Sequence, residues 1–264
     1  MSRTLIFSLI LLLFSTTTQS CYSGSSSYEK SAHVPQDVWN KLSPYFLPLD
    51  HPMKAKLDAL FSKTRVVKSK KTLKAAGFKK LSPQPVTQIV VSKHPKLKGY
   101  FIKLYTDDKK VPEWQRFLWR VIGAERIRKK IEEHHATHLF KVPKKWIYPL
   151  PSAPQSTGKY PKSFILIAED MRLLKEEDNF FRWKSIAMTT EKLTILAAIV
   201  GELGLEDSLS PKNTCFAKDG KIAFVDTEIF DHTPVYWKRP LSFLSPSKRA
   251  LWEKLTRNGK FTVH

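Results

Sequence analysis

Asn213 and Asp226 stand at the two ends of NTCFAKDGKIAFVDTE (213–228), a stretch that reads as strand, tight Asp219-Gly220 turn and strand. Two oxygen donors at the ends of one hairpin could be halves of a metal-phosphate site, or polar punctuation around an ordinary hairpin. Lys103 is isolated among apolar and aromatic residues in GYFIKLY (99–105). A lysine in such a strand snorkels to water or meets a carboxylate; protection of an exposed sheet edge is the plainer alternative. Glu125 lies four residues after Val121 and three after Ile122, in the apolar stripe of Trp114, Phe117 and Leu118. A glutamate aimed at a core wants a cation, and Lys103 is the isolated candidate.

The elements that must position these residues follow from period and punctuation. VPQDVWNKL (34–42) and PMKAKLDALFSK (52–63) place Val38 with Leu42, and Met53 with Leu57, Leu60 and Phe61, on single faces, predicting two short amphipathic helices. Lysines at 68, 70, 71, 74, 79 and 80 form either a solvated basic face or a docking surface for an acidic partner. VTQIVV (86–91) and GYFIKLY predict a hairpin, and Pro112 opens the helix that carries Glu125. His134, His135 and His138 have no cysteine nearby and lysines on both sides, so they read as helix-end and surface histidines. After a Pro/Ser/Gly loop (149–162), FILIA (164–168) reads as a buried strand that stops at Glu169, Asp170 and Met171. TTEKLTILAAIVGELG predicts a buried helix with Thr190 as N-cap, Leu193, Leu196, Ala197 and Val200 inward, and Gly204 at its end. PSKRALWEKLTRNG supplies one more amphipathic helix, and neither a repeat nor a glycine-rich phosphate loop is present.

The 264 residues are 42% hydrophobic and 12% aromatic, which suits a moderate core and excludes a disordered chain. Lys and Arg number 45 against 24 acidic residues, a formal net charge of +21, so an acidic protein or an anionic surface is the expected partner. No recognised nucleic-acid motif accompanies the charge, and the lysines are not interleaved with aromatics in one stripe; no specific nucleic acid is implied. Residues 1–20 read as an export signal, with Arg3 at the basic start and a ten-residue apolar stretch from Leu5 to Phe14, interrupted only by Ser8 and too short to span a bilayer comfortably. Cys21 follows Ser20 and precedes a Ser/Gly tether (21–33). The stretch resembles a bacterial lipoprotein signal, in which Cys21 would be lipidated, but Thr18 departs from that pattern. Plain secretion after Ser20, lipidation at Cys21 and an uncleaved anchor all stay open, giving an exported protein that is secreted or envelope-associated, with membrane attachment only through a lipid on Cys21. The other cysteine, Cys215, falls in an apolar strand.

The chain order is hairpin with an internal lysine, helix with an inward glutamate, apolar strand, buried helix, loop ending in Asn213, hairpin, Asp226. From roughly Val86 to Phe230 this order resembles the protein-kinase-like superfamily. The resemblance implies an α+β, two-lobed fold: an antiparallel sheet with one helix in an N-lobe (81–171), and a reduced, mostly helical C-lobe (172–264), behind an N-terminal helical extension (34–80). It implies ATP and Mg²⁺ as cofactors. Lys103 would hold the nucleotide phosphates with Glu125 as its helix partner, and Glu169 and Met171 would lie where FILIAEDM enters the adenine hinge. Asn213 and Asp226, thirteen residues apart, would ligate the metal, and Glu228 is like the acidic residue often found two positions later in the small-molecule branch.

The departures concern chemistry. The family's catalytic aspartate lies five residues before the asparagine, where this chain has Ser208, whose hydroxyl is not basic at neutral pH. Asp207 is one place earlier, so a one-residue bulge could deliver a carboxylate. Only Gly77 stands near the place of the glycine-rich loop, and 38 residues follow Asp226, few for a full set of substrate-binding helices. An exported protein also meets little ATP. Three functions follow: a secreted or lipid-anchored kinase-like protein, nucleotide- and Mg²⁺-binding or degenerate, with weak or no phosphotransfer, that works mainly by binding a partner; an active phosphotransferase with Asp207 as base; or a basic non-enzymatic envelope protein that binds anionic polymer or lipid.

Overall fold

The structure, a computed structural model, describes residues 27–83, 88–152 and 157–257. The expected signal segment, Cys21 and the start of the tether lie outside them. The chain forms α1 (Gln36–Leu42), α2 (Lys54–Phe61), α3 (Lys70–Ala75), β1 (Lys79–Pro83), β2 (Val90–Lys93) and β3 (Tyr100–Leu104). The long α4 (Glu113–Glu133) leads to β4 (Phe140–Lys141), β5 (Lys145–Pro149) and β6 (Phe164–Glu169). Then come α5 (Glu176–Lys184), α6 (Thr190–Leu203), β7 (Thr214–Phe216), β8 (Ile222–Phe224) and α7 (Pro246–Thr256). The fold is α+β: a five-stranded antiparallel sheet in the order β1-β2-β3-β6-β5, and a three-stranded sheet in the order β4-β8-β7. No helix among the described residues is long and apolar enough to cross a membrane.

The strand period of two decides which way Lys103 faces. Ile102 and Leu104 enter one core with Ile165, Ile167 and the inner residues of α2 and α3 (Leu57, Phe61, Leu73). Lys103 therefore shares the opposite face with Tyr105 and Leu166, where Phe117 and Val121 of α4 and Val38 and Leu42 of α1 pack. Leu47 N–H donates to the Ile147 carbonyl at 2.9 Å, so the N-terminal extension covers the outer edge of β5 as well as α4.

The expected hairpin appears as β2 and β3, with β2 at Val90–Lys93, later in the chain than the expected 86–91. The buried helix appears as α6, capped one residue earlier than expected by Thr189, with Gly204 in the left-handed conformation (φ 61°) at its end. Two expectations are corrected. The extension is not wholly helical to residue 80, because β1 begins at Lys79. Glu125 is not aimed at the core but exposed, since the buried arc of α4 runs through Phe117, Arg120, Ala124, Ile127 and Ile131. At 100° per residue that arc is centred one position away from Glu125.

Both cores meet on α4: its first half packs on the five-stranded sheet, while Ala124, Ile127 and Ile131 join α6, α7 and the β7-β8 hairpin. The chain leaving β8 lies directly against this helix at Gly123, where a Cβ would fall 2.0 Å from the Thr227 carbonyl oxygen. Gly123→Ala is therefore expected to destabilise the protein by about 1–3 kcal/mol, as overpacking does. That is opposite in sign to the gain of ~1 kcal/mol that the same change gives in an unobstructed helix. Urea denaturation of the variant and the parent measures it.

Candidate functional site

Lys103 on β3, Arg120 on α4, Lys145 on β5, and Asp226 and Glu228 just after β8 come together between the five-stranded sheet and the β7-β8 hairpin. Arg120, its side chain only 3% exposed, donates through Nη1 to Asp226 Oδ1 and through Nη2 to Glu228 Oε2. Arg116 adds a second cation 3.3 Å from Glu228. Lys145 Nζ donates to Thr227 Oγ1 at 2.7 Å and to the Val225 carbonyl at 3.2 Å, and Thr227 Oγ1 donates in turn to the Arg120 carbonyl at 2.6 Å. β5, α4 and the segment after β8 are thus joined by one hydrogen-bonded chain.

Charge dominates this site. Burial and the neighbouring Arg120 push the Lys103 amine down to about 8, against the pull of Asp226 and Glu228. Burial and the charges of Lys103 and Arg120 hold Lys145 well below the ordinary lysine range. Burial alone would raise Asp226; the charges of Arg120, Lys103 and Lys145 outweigh it and keep its carboxyl below the usual range.

The residues named from sequence are brought together only in part. Lys103 and Asp226 do share the site. Glu125 does not reach Lys103: it lies on the far side of α4, its carboxyl raised by burial and partly offset by Arg128. Arg120, five residues earlier and on the buried arc, occupies the position facing the lysine. Asn213 stands at the same end of the hairpin as Asp226, since its carbonyl accepts from Val225 N–H at 2.8 Å, but its side-chain amide donates to the Asp207 carbonyl at 3.0 Å. The Asp207 carboxylate accepts from Arg239 Nη1 at 2.9 Å, and Ser208 is buried. Glu169 Oε2 accepts from Lys144 N–H at 2.9 Å. Met171 is half-buried in the connection between the two sheets, which bonds Gly99 through Asp170 and Phe216 through Leu174.

As arranged, these residues do not suit Mg²⁺. Both carboxylates near Asn213 are engaged by a guanidinium, and three cationic side chains converge on the place a divalent cation would take. Among the described residues, no group of three or more His, Cys, Asp or Glu side chains could hold a metal ion. His134 and His138 meet Glu202 and Glu191 on the surface.

Sequence reasoning passed over Arg120, Lys145 and Thr227. Arg120 carried the same signal as Glu125, a charge three residues after Phe117 and four before Ala124. Lys145 could have been flagged as a lysine sharing strand parity with Ile147. Thr227 had no signal, because its role depends on Gly123 across a tertiary contact. Neither protein-family profiles nor curated proteins give a match to this chain.

Two outcomes follow from the charge distribution. Competitive amine labelling with mass-spectrometric readout is expected to show Lys103 titrating near pH 8, well below exposed lysines at about 10.4. Arg120→Met, which removes a neighbouring positive charge, should move that midpoint upward. The same variant takes the ion-pair partner from Asp226 and leaves Glu228 only Arg116, and is expected to lose on the order of 3 kcal/mol at neutral pH. A depressed carboxylate stabilises above its unfolded-state pKa and loses that contribution as pH falls through its folded value, so the deficit should shrink below about pH 4. Denaturant titrations at neutral and acid pH measure the difference.

Proposed function

We propose that this chain is a degenerate member of the protein-kinase-like superfamily, two-lobed and exported, that acts by binding a partner instead of transferring phosphate. The kinase-like part of the proposal draws support from the strand order β1-β2-β3-β6-β5, the lysine on β3 facing the following helix, and the hairpin bounded by Asn213 and Asp226. The observation that carries the loss of transfer is Arg120. Its guanidinium takes the two carboxylates that would otherwise be offered to a metal, and so supplies internally the positive charge that Mg²⁺ brings to phosphoryl transfer.

The general base argues the same way. Ser208 is buried and not basic, and the Asp207 carboxylate one place earlier is bound to Arg239. An acidic protein or anionic surface is the proposed partner. Net charge of +21 and the exposed lysines 63, 68, 70, 71, 74 and 79 provide the attraction.

Millimolar Mg²⁺ with ATP is expected to leave the melting temperature unchanged, because a ligand at about 100 times its Kd would stabilise the fold by roughly 2.7 kcal/mol and be seen. Neither phosphate transfer nor ATP hydrolysis should exceed that of the Asp226→Asn variant. Magnesium-dependent stabilisation together with turnover lost in Asp207→Ala would restore the active phosphotransferase.

A further inference from the structure

The two lysines of the ionic cluster are held differently. Lys145 is buried and gives its protons to Thr227 and to the Val225 carbonyl. Lys103 is only half-buried, so solvent reaches it, and its Nζ makes neither a hydrogen bond nor an ion pair among the described residues. The carboxylates that could hold it, Asp226 and Glu228, are taken by Arg120, and Arg116 shares Glu228. On the same face of β3 stands Tyr105, whose hydroxyl burial keeps neutral. Arg116, Arg120, Lys103 and Lys145 thus stand against two carboxylates. That imbalance is relieved most easily by a proton leaving the one amine that no acceptor holds, and the Lys103 amine is accordingly pushed down to about 8. A desolvated lysine beside another cation is the arrangement that makes an amine nucleophilic near neutral pH.

We propose that Lys103 is a covalent binding site for a small 2-oxo acid, held as a Schiff base between its Nζ and the oxo carbon. The amine lone pair attacks the carbonyl carbon, and the π pair of the C=O bond moves to oxygen. That oxygen then leaves as water with both nitrogen protons, so C=N replaces C=O and nothing is oxidised or reduced. The acid's carboxylate answers the excess positive charge of the cluster, which a neutral aldehyde does not, and opposite charges attract more strongly in a partly desolvated place. The proposal does not rest on the kinase-like reading, because no nucleotide or metal contact enters it.

Glyoxylate and acetaldehyde, both two-carbon aldehydes but opposite in whether they carry a charge, are the probes. The full chain is treated with each at neutral pH together with cyanoborohydride, which reduces the imine to a stable amine, and the labelled sites are mapped by mass spectrometry. There an amine titrating near 8 has a free-base fraction on the order of 10²-fold above that of an exposed lysine at about 10.4. A less basic amine is also a weaker nucleophile, so glyoxylate is expected to label Lys103 at least about tenfold faster than any exposed lysine. Acetaldehyde should show a smaller preference. Lys103→Arg should lose the fast adduct and keep the slow ones, and urea-unfolded parent protein should lose the preference as the cluster separates. Labelling of Lys103 no faster than that of exposed lysines, an equal preference with acetaldehyde, or a preference that survives unfolding would each overturn the proposal.

Discussion

A guanidinium clasped by two carboxylates is the contact on which the geometry of this protein turns. Arg120 leaves the middle of α4, the helix whose two halves enter different cores, and binds Asp226 and Glu228 on the segment that follows β8. Carrying a buried guanidinium out of water costs several kcal/mol, and that cost is recovered only if its partners are fixed and close. The fold supplies the fixing. Gly123 lets the Thr227 carbonyl approach α4 at a distance no side chain would permit, and Lys145 holds Thr227 from the β5 side. The extension formed by α1 and the strand-like residues Phe46 and Leu47 backs α4 against the sheet, so the arginine cannot swing away without opening a core.

This arrangement separates shape from chemistry. Lys103 and Asp226 lie near one another, as a phosphate-handling site would need. Yet the charge between them comes from an arginine of the chain and not from an exchangeable metal. A resident cation cannot leave with a product, and it lowers the proton affinity of both the lysine and the aspartate. Such a site favours a fixed surface over turnover, consistent with the proposal that this protein binds.

Much of the scaffold was legible in the sequence because local rules fixed it. Alternation placed β2 and β3, Gly204 ended α6, and the Asp219-Gly220 turn set the last hairpin. What the sequence hid was rotation and partnership. The stripe through Trp114, Leu118 and Val121 made Glu125 look inward, but α4 is pressed from two sides, and the better-buried line passes through Arg120 and Ala124. A helix wheel cannot choose between two adjacent stripes when both carry a charge. Lys145 and Thr227 were less visible still, because the need for them arises only when β5 and the chain after β8 are brought to the same helix. In the lysine-rich stretch Lys70, Lys71 and Lys74 are exposed around the inward Leu73, as a solvated face and a docking surface both require.

The central claim is that Arg120 and Asp226 stabilise the protein through each other. A double-mutant cycle of Arg120→Met, Asp226→Asn and the pair, read by urea denaturation with and without millimolar Mg²⁺, measures that coupling alone. The account predicts a coupling of about 2 kcal/mol, unchanged by the metal. A coupling within error of zero, or one that collapses when Mg²⁺ is added, would contradict it.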